Sequence, residues 1–306
     1  MEEYVARFRA DLEGLTLGPP ERIGVAVSGG PDSLALLLLA QAAYPGRVCA
    51  ATVDHGLRPE GAAEAAFVAG LCADLGVPHA TLEAGMTERT NIQAAARERR
   101  YALLASWAES TGVACLATAH HLDDQAETLI MRLLRGSGLS GLAGIRAAKS
   151  GAVPIVRPLL GWRRDELAAI VAAAGIEAVA DPSNEDERFD RARIRRHLAD
   201  AGWIEAEPLA RSAAALAQAE ESLEWAVERL WRERVDDDTF DPAGLPDELR
   251  RRLVVRILAS LGGAAPRGEA MTRLLATLAR GGTATLAGVK CTGGTIWRFA
   301  PAPPRR

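Results

Sequence analysis

The sequence predicts an α/β fold, a doubly wound and mainly parallel sheet followed by a smaller helix-rich C-terminal domain. Short apolar runs at 23–27, 48–53, 77–82, 113–119 and 153–156 alternate with helical patterns near 33–43, 60–75, 91–110, 122–135 and 163–174. That alternation is the rhythm of βαβ units, whose crossover helices cover both faces of a parallel sheet. A glycine-rich turn follows the first run, and polar clusters follow the second and fourth. Ligands of such sheets sit beyond the carboxyl ends of the strands, where strand order reverses. The sheet pattern stops around Asp181-Pro182-Ser183-Asn184, so a boundary is expected near residue 205. Residues 1–205 would form the first domain and 206–306 a mainly helical one, ending in short strands such as 295–299 and a proline-rich tail.

The first run, Ile23-Gly24-Val25-Ala26-Val27, leads into Ser28-Gly29-Gly30-Pro31-Asp32-Ser33 and then into the helical Leu34-Ala35-Leu36-Leu37-Leu38-Leu39-Ala40. Adjacent glycines let backbone N–H groups approach phosphate oxygens, and the positive end of the next helix adds attraction. The loop lacks the Gly-Lys-Ser/Thr ending of a Walker A turn, and the whole chain has only Lys149 and Lys290. It carries Asp32 instead, which a triphosphate would repel unless Mg2+ or a substrate ammonium lies between them. A bridging cation is therefore expected at Asp32.

After the second run comes Asp54-His55-Gly56-Leu57-Arg58, and after the fourth His120-His121-Leu122-Asp123-Asp124-Gln125-Ala126-Glu127-Thr128. Asp124 and Glu127, three apart, share one face of a first helical turn at the chemistry end of the sheet. Two carboxylates facing one way call for a cation. Asp123 is explained equally well by the helix dipole alone.

Composition narrows the function classes. With 306 residues, 48% hydrophobic and 25% charged, the chain can bury full cores in two domains. Its longest apolar stretches fall well short of the ~20 residues of a membrane span, and Met1-Glu2-Glu3-Tyr4-Val5 is no signal peptide, so a cytoplasmic protein is expected. Cys49, Cys72, Cys115 and Cys291 stand far apart, which fits reduced core thiols and excludes a Cys-x-x-Cys metal or redox site. Trp225, Trp231 and Trp297 read as core residues. The net charge of −4 gives no global attraction to nucleic acid. From Arg132 to Arg164, however, there is no Asp or Glu among Arg132, Arg135, Arg146, Lys149, Arg157, Arg163 and Arg164. That stretch, with Gly136 and Gly138, is the expected RNA-facing surface. Arg250, Arg251, Arg252 and Arg256 form a further basic group, as consistent with a charged helix face as with contact to a nucleic acid.

The first loop resembles the Ser-Gly-Gly-x-Asp-Ser signature of the PP-loop ATP pyrophosphatases. Asp54-His55-Gly56-Leu57-Arg58, the Asn91 to Tyr101 run, His120 to Thr128, Arg135-Gly136-Ser137-Gly138 and Asp181-Pro182-Ser183-Asn184 then resemble, in order, the motifs of the tRNA(Ile)-lysidine synthetase family. The resemblance covers residues 20–200 and implies an adenine nucleotide alpha hydrolase-like fold. It implies a ligase that adenylates the carbon 2 oxygen of the wobble cytidine in the CAU anticodon of tRNA(Ile), after which free L-lysine displaces AMP. It implies ATP held by Ser28, Gly29, Gly30, Pro31, Asp32 and Ser33 with Asp54 and His55, Mg2+ at Asp32, and catalysis by Asp32, Asp124 and Glu127.

The same resemblance assigns the lysine ammonium to Asp124 and Glu127, and phosphate or tRNA contact to Arg97, Arg100, Arg132, Arg135, Arg191 and Arg195. Ala192 stands where the family's Arg-Asn-x-x-Arg run has asparagine. Whether a carboxylate, His120 or His121 takes the lysine proton is left open by the residues, and a homodimer is compatible with them. The alternative is another PP-loop tRNA-modifying enzyme such as a 2-thiolase, whose chemistry usually calls for paired cysteines.

Overall fold

The computed structural model describes residues 1–54, 56, 60–85, 92–179, 190–263 and 268–302. His55, Leu57, Arg58, Asn91 and the Asp181-Pro182-Ser183-Asn184 motif lie outside the described residues. The chain forms two compact units, Met1–Ala217 and Gln218–Arg306.

In chain order the first unit contains α1 (Glu2–Thr16), β1 (Ile23–Ala26), α2 (Pro31–Ala43), β2 (Val48–Asp54), α3 (Glu60–Asp74), β3 (His79–Glu83) and α4 (Ile92–Thr111). There follow β4 (Cys115–Ala117), α5 (Leu122–Leu134), α6 (Leu139–Leu142), β5 (Ala148–Lys149), β6 (Ile155–Val156), α7 (Arg164–Ala173), α8 (Asp190–Ala201) and α9 (Ala206–Arg234). The boundary expected near residue 205 falls instead at Ala217, because α9 is one uninterrupted helix that carries the chain across it.

The strands make one six-stranded sheet in the order β3-β2-β1-β4-β6-β5. All pairings are parallel except the edge pair of β5 with β6. Register sets Ile23 opposite both Val48 and Cys115, so β1, β2 and β4 end at one edge. Strand order reverses between β1 and β4, which is where a crevice opens in such sheets. The loop after β1 and the segment before α5 flank that crevice.

β1 is buried at every residue, as a central parallel strand covered on both faces must be. Behind it, α2 buries Leu34, Leu36, Leu37 and Leu39 against Trp162, Leu167 and Ile170 in one core cluster. The helix α1, absent from the sequence reading, joins that cluster through Phe8 and Leu12. It is tied down by the Trp162 indole donating to Asp11 at 2.8 Å and by the Arg7 guanidinium 4.2 Å over the Trp162 ring.

The second unit takes the end of α9, then β7 (Val235–Asp236), β8 (Thr239–Phe240), α10 (Asp247–Ser260), α11 (Glu269–Ala279), β9 (Thr283–Leu286), β10 (Val289–Thr292) and β11 (Trp297–Pro301). Beside its helices stands a five-stranded antiparallel sheet, β7-β8-β11-β10-β9. Its core has Trp297 edge-on to Phe240 at 5.6 Å, and a buried Glu220–Arg252 ion pair at 2.6 Å. Trp297 is a core residue as expected, whereas Trp225 is 64% exposed and is not. All four cysteines are free and buried.

Leu37 lies wholly inside the α2 cluster. Leu37→Ala should therefore cost about 2–5 kcal/mol in urea unfolding, and a loss under about 1 kcal/mol would mean that α2 does not pack as described.

Candidate active site

The phosphate loop is shaped by one hydroxyl. Ser33 Oγ donates to the Gly30 carbonyl at 2.9 Å and accepts from the Ser28 N–H at 3.0 Å and the Ser28 hydroxyl at 3.2 Å. Gly29 has φ +86°, a conformation that side chains resist, and a Cβ there would meet Val179 at 3.3 Å. Gly30 caps α2 and Pro31 opens it, so the first-turn N–H groups point out of the sheet's edge. Asp32 in that turn has Oδ1 buried with no hydrogen-bond partner among the described residues.

Facing this loop is the start of α5. Asp124 and Glu127 are 9% and 2% exposed, so these carboxylates do share one buried face. The basic partners come from α8. Arg191 donates from Nε to Glu127 at 2.7 Å and from NH2 to Asp124 at 2.9 Å. Arg195 donates from Nε to Glu127 Oε1 at 2.6 Å and from NH2 to Oε2 at 3.2 Å. The two carboxylates assigned by resemblance to lysine thus hold the two arginines assigned to phosphate or tRNA. Arg191 and Arg195 stand i,i+4, the spacing that puts both on one helix face, and that signal was present in the sequence.

His121 is the residue that the sequence reading undervalued. It is 2% exposed, with Nε2 at 3.5 Å from Asp32 and 3.6 Å from Asp124, and Nδ1 at 3.4 Å from Asp123. Burial alone would push its pKa down, but the close carboxylates of Asp123 and Asp32 and the charge of Asp124 outweigh burial and raise it to about 10. At neutral pH it is an imidazolium joining the phosphate loop to the acidic helix. Asp123, which also accepts the N–H that opens α7 from Arg164 at 3.0 Å, holds His121 in place.

The neighbouring His120 has the opposite character. Burial first, then the charges of Arg157, Arg191, Arg97 and Arg100, lower its pKa to about 3. Its Nδ1 lies 3.1 Å from the Thr118 hydroxyl. It is a neutral imidazole in a cationic field.

The other expected residues divide. Asp54 ends β2 and accepts the Gly56 N–H at 2.9 Å, holding the turn beside the crevice. Arg97 is exposed with its guanidinium 5.2 Å over the Tyr101 ring, and Arg100 is half-buried, both within electrostatic reach of His120. Arg132 and Arg135 are exposed at the far end of α5, and Arg135 pairs with Asp190 at 2.5 Å. Arg157, expected on the basic surface, is only 8% exposed, with one guanidinium nitrogen donating to the Arg146 carbonyl at 2.6 Å. It sits where β6 ends, under the site rather than on the surface.

Residues 5–201 match the family model of the PP-loop domain. The chain is 51% identical to a tRNA(Ile)-lysidine synthase from Novosphingobium aromaticivorans, over 98% of this chain and 94% of that one. It is 46% identical to the tRNA(Ile)-lysidine synthase of Zymomonas mobilis, again covering 98% and 94%. The chain belongs to the tRNA(Ile)-lysidine synthase family. Among solved structures, the U34-tRNA thiolase NcsA from Methanococcus maripaludis shares the fold, with a TM-score of 0.56 at 16% identity over 72% of this chain and 80% of that one. Within the lysidine synthase family, the alanine at position 192 leaves the ion pairs of its neighbours Arg191 and Arg195 intact.

His120 supplies a pH dependence. Its folded pKa of about 3 lies below the ordinary 6.5, so the stability it contributes is complete above pH 6.5 and is lost as pH falls toward 3. His120→Asn should flatten the fall in urea-unfolding free energy between pH 6.5 and 4.5, where one such group contributes up to about 1.4 kcal/mol per pH unit. Identical slopes for the two proteins would show that His120 is not held neutral.

Proposed function

We propose that this protein joins free L-lysine to carbon 2 of the wobble cytidine in the CAU anticodon of tRNA(Ile), consuming ATP and releasing AMP and diphosphate. The observation that carries the reading is the meeting of two unlike sites at one sheet edge: His121 spans Asp32 of the phosphate loop and Asp124 of the acidic helix at 3.5 and 3.6 Å.

The two sites match the two half-reactions. In the first, the cytidine oxygen attacks the alpha phosphorus of ATP and diphosphate leaves, with Ser28, Gly29, Gly30 and Ser33 presenting N–H and hydroxyl donors to the phosphates and Pro31, which has no N–H, opening the helix behind them. Asp54, and His55 from outside the described residues, would border the nucleoside end. In the second, the lysine side-chain amine attacks carbon 2, and AMP leaves with the former carbonyl oxygen. Asp124 and Glu127 are the groups for the incoming ammonium. Accepting it means exchanging their bonds with Arg191 and Arg195, which frees two guanidiniums for phosphate, the role they are suited to.

The partnerless Oδ1 of Asp32 fits Mg2+, and no group of three metal-ligating side chains occurs among the described residues, so phosphates and water would complete its shell. Bound there, Mg2+ would neutralise charge on the phosphates. Proton removal from the amine falls to a carboxylate, since His121 is already protonated and His120 is too weak a base to compete.

Arg97 and Arg100 beside the site, and Arg132 and Arg135 at the far end of α5, would be contacts for the RNA backbone. The second unit would hold the tRNA body, and an enzyme acting on tRNA would work in the cytoplasm. A thiolase reading gains nothing from the cysteines, since burial raises the thiols of Cys72, Cys115 and Cys291 to about 11.

Purified protein with ATP, Mg2+, radiolabelled lysine and tRNA(Ile) transcript should place label in RNA. Asp32→Ala should abolish it, as should a transcript whose wobble cytidine is uridine. Label in the uridine transcript would exclude lysidine formation.

A further inference from the structure

We infer that Gln125 is a positioning residue that locks the acidic helix to the basic, RNA-facing segment, so that lysine carboxylates and anticodon are held in one register. The inference rests on the function proposed above. Gln125 stands between Asp124 and Glu127 in α5 but takes no part in their ion pairs, and it is only 7% exposed. Its amide grips the backbone of a single residue from both sides. Nε2 donates to the Ile145 carbonyl at 2.8 Å, and Oε1 accepts the Ile145 N–H at 2.7 Å. A side-chain amide used in this way imitates a strand partner, and both of its hydrogen-bonding groups are engaged.

The gripped segment is shaped to receive it. Gly144 has φ +66°, and a Cβ there would stand 2.4 Å from the Gln125 Oε1. Glycine at 144 and glutamine at 125 are therefore one device. The next residues are tied from other directions: Arg157 donates from its guanidinium to the Arg146 carbonyl at 2.6 Å and from its N–H to the Ala147 carbonyl at 2.8 Å. The Arg146 guanidinium in turn donates to the Ala217 carbonyl of α9 at 3.1 Å.

Residues 145–147 thus join α5, the end of β6 and α9. The segment lies inside the stretch from Arg132 to Arg164 that carries no acidic residue. A rotation of α5 would move Asp124 and Glu127 and this segment together. Without the clamp, the amine and the activated carbon are positioned by separate elements, and misplacement near 1 Å is enough to slow a two-centre reaction.

The test is steady-state kinetics on Gln125→Ala, Gly144→Ala and the double variant, with urea unfolding to establish that each is folded. Gln125→Ala should lower kcat/KM for tRNA by about tenfold to a hundredfold, while the KM for ATP stays within about twofold of wild type, because the phosphate loop is not touched. Gln125→Glu keeps the acceptor and loses the donor, and should fall between wild type and alanine. The double variant should lose less than the product of the single losses, since the clash at Gly144 vanishes with the glutamine side chain. Multiplicative losses, an ATP KM that rises in parallel, or wild-type tRNA kinetics in Gln125→Ala would each overturn the inference. A wild-type enzyme that makes no lysidine would instead overturn the proposed function.

Discussion

Carboxylates gathered at a half-buried sheet edge cannot stay ionised without cations, and that constraint organises this site. Asp32, Asp123, Asp124 and Glu127 converge from a loop and one helical turn, and three residues answer them. His121 lies among Asp32, Asp123 and Asp124, while Arg191 and Arg195 cover Asp124 and Glu127. Leaving one such charge without its partner costs roughly 3–5 kcal/mol. The cluster therefore persists only as a balanced set, and on the function proposed above a second cation would enter it by exchange with Arg191 and Arg195. A lysine ammonium is such a cation. The same arginines, once displaced, suit the negative charge that arrives with ATP and RNA.

The scaffold explains why the charges meet at all. Parallel strands end at a common edge, and strand order reverses between β1 and β4. The loop after β1 and the helix after β4 are far apart in sequence but adjacent there. Phosphate binding and carboxylate binding become neighbours through topology rather than through any local motif. His121, the last residue before α5, is placed by that geometry between the two.

Much of this was legible in the chain. The βαβ rhythm comes from hydrophobic period and the phosphate loop from paired glycines, both local signals. The shared face of Asp124 and Glu127 is fixed by helical spacing. What was not legible depends on contacts across many residues. Nothing near Arg157 in sequence says that its guanidinium is buried beneath the site, and Trp225 has the composition of a core residue yet lies exposed. The opposite titration of the adjacent His120 and His121 is set by whether arginines or carboxylates surround each ring, which no sequence spacing records. The α9 helix begins where the boundary was expected and runs through the one observed at Ala217, a division inside a continuous helix that no local sequence signal marks.

On the function proposed above, the acidic face of α5 would serve the lysine step, separately from the phosphate loop that would serve adenylation. Single-turnover reactions of Glu127→Gln with ATP labelled in its alpha phosphate, tRNA(Ile) and lysine test it most directly. Labelled phosphate should become attached to tRNA and remain there, with little lysine transferred. Absence of RNA-bound phosphate, or wild-type transfer of lysine, would contradict it.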